Sequence, residues 1–390
     1  MFSDDLLTSL AGRFDTPLYV LDVAEVRRRV ADMQTAFPGA SLRFAVKANP
    51  DVAVLRHLSA MGVGAEVISE GELARAVRAG MPGDAILLGG PGQAPGVRQL
   101  AREVNVGRVS LDGVEQWRAW REELPDATRF FVRVNPGLDP ATHPHLATGA
   151  AYAKFGVAPS VAVKLARDVA REGRFAGFHV HVGSMIPDAK VHSDVLSLLD
   201  TLFDAVPEGR EVNLGGGFAV PSFDLNDLAA RVTPWAEARG LDVMLEPGRW
   251  LVADAGVLLT RVLWRKDAPE GVPGARTHWI CDAGMAQLVR PALYGAVHPI
   301  RMVGEGSGTS VEGDVEGPLC ENADRLAQNV TLAAAAGDLL AVEQAGAYGA
   351  GMASNYASDL LPAEVLVDGD SVTLTRRRQT REDLHARDAG

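Results

Sequence analysis

Eight short apolar runs recur along the first two-thirds of the chain, and that recurrence constrains its fold more than any other feature. They are LRFAV at 42–46, AEVI at 65–68, AILL at 85–88, RVSL at 108–111, FFVRV at 130–134, FHVHV at 178–182, EVNL at 211–214 and VMLE at 243–246. Between them apolar residues fall three and four apart, as in VAVLRHLSAM at 52–61, GELARAVRAG at 71–80, VAVKLARDVA at 161–170 and VLSLLDTLFDAV at 195–206. That is helical spacing. A further helical pattern, AEVRRRVADMQTAF at 24–37, precedes the first run. Strand–helix alternation implies parallel strands joined by right-handed crossovers. Eight evenly spaced units over about 210 residues favour a closed (β/α)8 TIM-type barrel over an open doubly wound sheet. The connection between the fifth and sixth runs, roughly 136–176, is longer and holds a loop and a helix.

The alternation stops near residue 257. A turn-rich stretch, KDAPEGVPGA at 266–275, is followed by THWICDAG, VEGDVEG, DLLAVEQAGAYG and AEVLVDGDSVTLTRR, which read as strands and turns. Asp368-Gly369-Asp370 is a hairpin signal. The strand-like TPLYVLD at 16–22 joins the same group. The sequence therefore predicts a barrel over 22–257 and a C-terminal all-β domain, of Greek-key or β-sandwich type, made of 258–390 with 1–21. With 38 basic and 50 acidic residues the net charge is −12, which argues against a nucleic-acid partner. No run reaches the roughly 18 apolar residues of a membrane span. The acidic start, MFSDDLLTSLAGRFD, lacks the form of a signal peptide. Cys281 and Cys320 make no disulfide framework. A cytoplasmic location is expected.

In a (β/α)8 barrel the chemistry sits at the C-terminal ends of the strands. The first run ends in Lys47-Ala48-Asn49-Pro50 and the second in Ser69. The sixth carries His179 and His181 and then Gly183 and Ser184; the seventh ends in Gly215-Gly216-Gly217 and the eighth in Glu246-Pro247-Gly248-Arg249. Each alone has an ordinary explanation: a solvated charge, a tight turn, a core imidazole. Together on one rim they have a chemical one. A lysine can form a Schiff base with an aldehyde. Glycines bare backbone N–H groups for a phosphate. An imidazole can stack on an aromatic ring, and a carboxylate can keep a pyridine nitrogen protonated. Those are the needs of pyridoxal phosphate. The competing reading, a zinc site from the His179-Val180-His181 pair with His143 and His145, lacks the spacing of a full ligand set and leaves Lys47 and the glycine turn unused. No metal is expected.

The motifs FAVKANP around Lys47, HVGS at 181–184, GGGF at 215–218 and EPGRW at 246–250 resemble those of the fold-type III, alanine-racemase-like pyridoxal-phosphate decarboxylases. CDAGM at 281–285, RPALYGAVHPI at 290–300, GPLCENADRL at 317–326, GAYGAGMASNYAS at 346–358 and RRRQTREDL at 376–384 are similar to the diaminopimelate decarboxylase family. So are RVNPGLDPATHPHLATG at 133–149 and KFGV at 154–157. The resemblance runs from about 16 to 384 and implies decarboxylation of meso-2,6-diaminopimelate to L-lysine and carbon dioxide, the last step of lysine biosynthesis.

Carried over residue by residue, it implies that Lys47 is the Schiff-base lysine and His181 stacks on the cofactor. Ser184, Gly216, Gly217 and the Gly248-Arg249 backbone hold the phosphate, and Glu246 pairs with the pyridine nitrogen. Arg249, Arg290, Tyr294 and Glu321 bind substrate, and Tyr348 touches both cofactor and substrate. Cys320 delivers the proton that replaces the carboxylate. In the family Cys320 and Glu321 come from the partner subunit, so the resemblance implies a homodimer. A glutamate at 246 favours decarboxylase over the racemases of this fold, which place an arginine there. Ornithine-type relatives typically carry aspartate where this chain has Glu321. Departures from the family pattern are Phe44 for tyrosine, Glu70 within Ser69-Glu70-Gly71-Glu72-Leu73, the turn Leu88-Gly89-Gly90-Pro91-Gly92, and Asn322 for serine. They leave open a relative acting on lysine, ornithine or carboxynorspermidine. A cofactor-binding pseudoenzyme is the non-enzymatic alternative, but none of Lys47, Cys320 and the cofactor shell is missing.

Overall fold

The computed structural model describes residues 2–137 and 153–389. It divides into two compact units, Arg27–Leu251 and Met1–Val26 with Val252–Gly390. In the first, eight parallel strands close into a barrel in sequence order: Ser41–Ala45, Gly64–Val67, Ile86–Leu88, Arg108–Leu111, Arg129–Arg133, Phe175–His179, Glu211–Asn213 and Asp242–Leu245. Closure is made by Ser41 against Met244 and Leu42 against Leu245. Strands Gly64–Val67, Ile86–Leu88 and Phe175–His179 are buried along their whole length, as strands covered on both faces must be. Leu87, Phe131, Ala176 and Met244, from four different strands, form one buried cluster. Helices return the chain between strands. Glu70–Arg78 is started by Ser69, whose side chain accepts from the Glu72 amide, and it carries acids in its first turn and arginines in its last, in the sense that suits the helix dipole.

The sixth strand is Phe175–His179 rather than the 178–182 read from the sequence. Its opening, Phe175-Ala176-Gly177, is masked by Ala176 and Gly177, two small residues of low strand preference. Gly177 is nevertheless required there, since a Cβ would lie 1.6 Å from the Glu211 carbonyl oxygen. Val180 and Val182 are buried but lie past the strand end, where an apolar run is indistinguishable from a strand by pattern alone. The correction moves His181 off the strand into the loop above it.

The second unit is built on a nine-stranded mixed sheet. Leu18–Asp22 pairs antiparallel with Gly256–Lys266 and parallel with Ala363–Asp368. Ala363–Asp368 turns through Gly369, at φ +59°, into Ser371–Arg376. Thr277–Cys281 lies between Gly256–Lys266 and Val311–Glu316, and Val311–Glu316 pairs with Arg325–Leu332. One core gathers Trp279, Cys281, Val315, Leu326 and Leu340. Another gathers Leu18, Val20, Leu259 and Val365 with Leu7, Leu10 and Ala11. Those last three belong to a helix, Asp4–Phe14, that the strand-and-turn reading of this region does not anticipate. Among the described residues no helix is long and apolar enough to cross a membrane.

Candidate active site

Lys47 follows the first barrel strand in a single 3-10 turn, Val46–Ala48. Its Nζ donates to Glu66 Oε2 at 2.6 Å. Glu66 lies in the second strand and is 4% exposed. Burial pushes its carboxyl up, and the Lys47 ammonium pulls it back toward the ionised form. Beyond the end of that strand Glu72 accepts from the Ile68 amide at 2.8 Å, and burial raises it to about 7.

Glu246 follows the eighth strand, which is the neighbour of the strand that leads to Lys47. Asn213 Nδ2 donates to its Oε1 at 2.7 Å, and His179 Nε2 lies 3.5 Å from the same oxygen. The Nδ1 of His179 is 2.7 Å from Ser110 Oγ. Burial, then the cations Arg133 and Lys47, hold the His179 ring well below the ordinary imidazole range, so it is neutral. Burial likewise raises Glu246, opposed by Lys47, Asn213 and Arg133. Arg133 completes the ring of charges. Its Nη1 is 3.4 Å from Asp112 Oδ1, and its guanidinium lies 4.8 Å from the centre of the Phe155 ring.

The glycine turn after the seventh strand has no room for side chains. A Cβ on Gly215 would come 2.4 Å from His181 Nδ1, one on Gly216 2.2 Å from the Glu246 carbonyl oxygen, and one on Gly217 2.1 Å from the Gly183 carbonyl oxygen. Gly215 and Gly217 also stand at φ +66° and +93°, where a side chain is disfavoured. This turn draws the His181–Ser184 loop and the Glu246–Arg249 segment together: Glu246 N donates to Gly215 O at 2.7 Å and Ile186 N to Gly217 O at 2.9 Å. The Gly216 amide donates to His181 Nδ1 at 3.1 Å. Burial and then Arg133 and Lys47 hold the His181 ring well below its usual range; a neutral ring accepting at Nδ1 carries its proton on Nε2.

Beneath the turn His192, 1% exposed, donates from Nε2 to Gly216 O at 3.0 Å. Burial lowers it to about 4. Between the ordinary imidazole value of about 6.5 and that point the unfolded chain takes up a proton that the folded one refuses. Stability therefore falls as pH drops through that window, by up to about 3 kcal/mol from this ring. Urea midpoints from pH 7 to 4.5 should show that slope, shared with the buried His179 and His181, and His192→Gln should reduce it. An unaltered slope in the variant would exclude His192 as its source.

The remaining candidates lie in the second unit. Arg290 opens the short helix Arg290–Tyr294, is 7% exposed, and donates from Nη1 to His298 Nε2 at 2.8 Å. His298 in turn donates from Nδ1 to Glu343 O at 2.9 Å. Tyr294 is half-buried at the end of that helix. Tyr348 is half-buried at φ +56°. Cys320 and Glu321 are exposed on a loop, with the Glu321 carboxylate accepting from Tyr356 Oη. Cys281 is fully buried, and burial pushes its thiol far up, which makes it an inert core residue. His278, Asp314 and Glu316 also cluster here, but Arg276 and Arg325 already pair with the two carboxylates. His143 and His145 of the zinc reading lie outside the described residues.

The structure thus gathers Lys47, His181, Ser184, Gly216, Gly217, Glu246, Gly248 and Arg249 at the C-terminal rim of the barrel. It adds residues that sequence reasoning missed: Glu66, Glu72, Ser110, Arg133, Asn213 and His192 there, and His298 and Tyr356 in the other unit. Glu66 and Arg133 had a signal, a charge inside an otherwise apolar strand. Asn213 and Ser110 had the same signal in weaker form.

A lysine, the buried Glu246 carboxyl, a neutral imidazole and a turn with no room for side chains form a set that fits pyridoxal phosphate: an amine for its aldehyde, an anion for its ring nitrogen, close backbone approach for its phosphate. Fold and rim together define a pyridoxal-phosphate-dependent barrel enzyme. A family model for the pyridoxal-binding domain of pyridoxal-dependent decarboxylases matches residues 23–253. Diaminopimelate decarboxylase from Deinococcus radiodurans is 39% identical over 384 residues, covering 97% of each chain. That from Zymomonas mobilis is 35% identical over 406 residues, covering 97% of this chain and 94% of the relative. The crystal structure of the Helicobacter pylori diaminopimelate decarboxylase complexed with L-lysine superposes with a TM-score of 0.89 at 28% identity, covering 97% of this chain and 98% of the other. The chain belongs to the pyridoxal-dependent decarboxylases and, within them, to the diaminopimelate decarboxylase family.

Proposed function

We propose that this protein removes the carboxylate from one α-carbon of meso-2,6-diaminopimelate, yielding L-lysine and carbon dioxide as the last step of lysine synthesis. The observation that carries the reading is the barrel rim, where Lys47 is held by Glu66 and Glu246 is held by Asn213, in a chain similar over nearly its full length to diaminopimelate decarboxylases. Pyridoxal 5'-phosphate supplies the electron sink for the pair left behind when the carboxylate departs. The protein orients and balances charge. Ser184, the Gly216-Gly217 turn and the Gly248-Arg249 backbone would hold the phosphate. Glu246 keeps a proton on the ring nitrogen. Neutral His181 offers a flat face that competes for no charge. Lys47 would hold the cofactor at its aldehyde, and Glu66 balances the charge of the Lys47 ammonium.

Arg249 and Arg290 are suited to grip the carboxylate in forked geometry, and the anchor of Arg290 on His298 fixes the direction of that fork. Tyr294 and Tyr348 line the substrate. Glu321, oriented by Tyr356, receives the distal ammonium, and Cys320 returns a proton to the carbon. The active unit is a homodimer in which the Cys320–Glu321 loop of one subunit serves the other. A cytoplasmic location suits two cysteines that are both free thiols.

The test is carbon dioxide release from the cofactor-loaded protein with meso-diaminopimelate, L-lysine, L-ornithine and L-arginine in turn. Release from diaminopimelate, with lysine formed, is expected, at a kcat/KM at least about 100-fold above the others, since leaving Arg290 or Glu321 without its counter-charge costs several kcal/mol. Preference for a diamino acid with one carboxylate would keep the cofactor and Lys47 and overturn the roles of Arg290 and Glu321. No release from any, with cofactor bound, would shift the assignment to carboxynorspermidine or to a binding role.

A further inference from the structure

The loop that carries Cys320 and Glu321 is exposed from Cys320 to Ala323 yet fastened at one buried point, Asp324, which is 1% exposed. One carboxylate oxygen accepts from the Leu319 amide at 2.6 Å and the other from the Met285 amide. Its main chain closes the same loop: its N–H donates to Glu321 O at 3.0 Å, and its carbonyl accepts from Gly317 N at 2.7 Å. Leu319, Cys320 and Glu321 are therefore bracketed from both ends by a single residue. The space is shaped around that carboxylate. A Cβ on Gly284 would come 2.1 Å from its Oδ1, and one on Gly317 2.2 Å. The Met285 bond extends the clamp to the turn that leads into Arg290. That turn is closed by Gln287, whose Oε1 accepts from Gly284 N at 2.9 Å and whose Nε2 donates to Asp359.

We propose that Asp324 is the positioning residue of the substrate loop, fixing Cys320 and Glu321 in register with the Arg290 segment while touching neither substrate nor cofactor. The proposal rests on the roles given above to Cys320 and Glu321. A carboxylate is needed because it is acceptor-only at both oxygens, and both oxygens face an N–H. Asparagine keeps the shape but turns one end into a donor that confronts an amide N–H, so one arm of the clamp opens. Glutamate is too long for a space bounded by two glycines. Burial raises the Asp324 carboxyl, and the Met285 and Leu319 amides offset part of that rise.

The experiment compares cofactor-loaded wild type with Asp324→Asn and with Gly317→Ala, which pushes a methyl into the clamp from the loop side. It reads amide exchange at Leu319 and Met285, iodoacetamide alkylation of Cys320 with buried Cys281 as internal control, and kcat and KM for meso-diaminopimelate. Expected in both variants are exchange at the two amides faster by at least about tenfold, a severalfold change in Cys320 alkylation, and kcat per cofactor-loaded subunit lower by at least about tenfold. Wild-type exchange and alkylation in Asp324→Asn would overturn the proposal. So would a lowered melting temperature with kcat per loaded subunit intact, the outcome for a merely structural residue. Cys320→Ala is measured alongside. Full turnover there overturns the proton-donor reading of Cys320 itself, and the exchange data still decide whether Asp324 holds the loop.

Discussion

Lys47→Ala is expected to lower turnover by about 10³-fold or more, the largest single loss in the protein. A positioned proton-transfer group alone contributes about 10²–10⁴-fold, and the role proposed for Lys47 adds the hold on the cofactor's aldehyde. Its setting supports that demand. The Nζ sits 2.6 Å from a carboxylate that is itself buried, so an ion pair sets the amine's direction. Borohydride should fix the cofactor covalently to the peptide containing Lys47 in wild type and leave the variant unlabelled. A variant that kept more than about a tenth of the wild-type rate would remove Lys47 from the reaction. The same substitution takes from Glu66 the cation that offsets its burial, so the double variant with Glu66→Gln should be more stable than Lys47→Ala alone.

Glu246→Gln is expected to cost about 10²–10³-fold in kcat, the range seen when one preorganised electrostatic partner is lost, with little change in KM. Glutamine preserves volume and can still accept from Asn213, so the change isolates the charge. The pH profile carries a second signature. Burial holds the Glu246 carboxyl above its ordinary value, and its proposed pairing with the ring nitrogen needs it ionised. Activity should therefore fall away on the acid side at a higher pH than an ordinary carboxylate would impose, and that limb should vanish in Glu246→Gln. An acid limb that survives the substitution belongs to another group.

Much of this site was legible in the sequence because barrels obey a positional rule. Strand ends can be read from apolar runs, and the residues just past a strand end lie on the rim. Lys47, Glu246 and the glycine turn are found that way. The rule fails where the run and the strand part company, as at 178–182. There a buried loop carries valines for the same reason a strand does, and Ala176-Gly177 hides a real strand start behind small residues. It also fails for residues that act through others. Asn213 and Ser110 are short polar side chains within strands, unremarkable until the fold brings Asn213 to Glu246 and Ser110 to His179. His192 lies twenty-four positions from the carbonyl it supports, on a helix whose pattern does not point to the turn above it. Asp324 reads as one more acid in a polar loop. Only folding aims two amides at it.

The strand Leu18–Asp22 is made early and paired late. Its partners begin at Gly256 and Ala363, whereas every barrel strand but the last pair to close finds a neighbour in the segment synthesised next. At about 5–20 residues per second the ribosome needs roughly 20–70 s between releasing this strand and supplying its parallel neighbour. Both of its edges are open until Gly256–Lys266 is supplied, and one stays open until Ala363–Asp368 follows; an open edge is a template for any strand that passes. The barrel can close on the nascent chain while the N-terminal segment waits. The hazard of crowded translation thus falls on five residues near the start, where neighbouring chains on one message could join through the same unpaired strand.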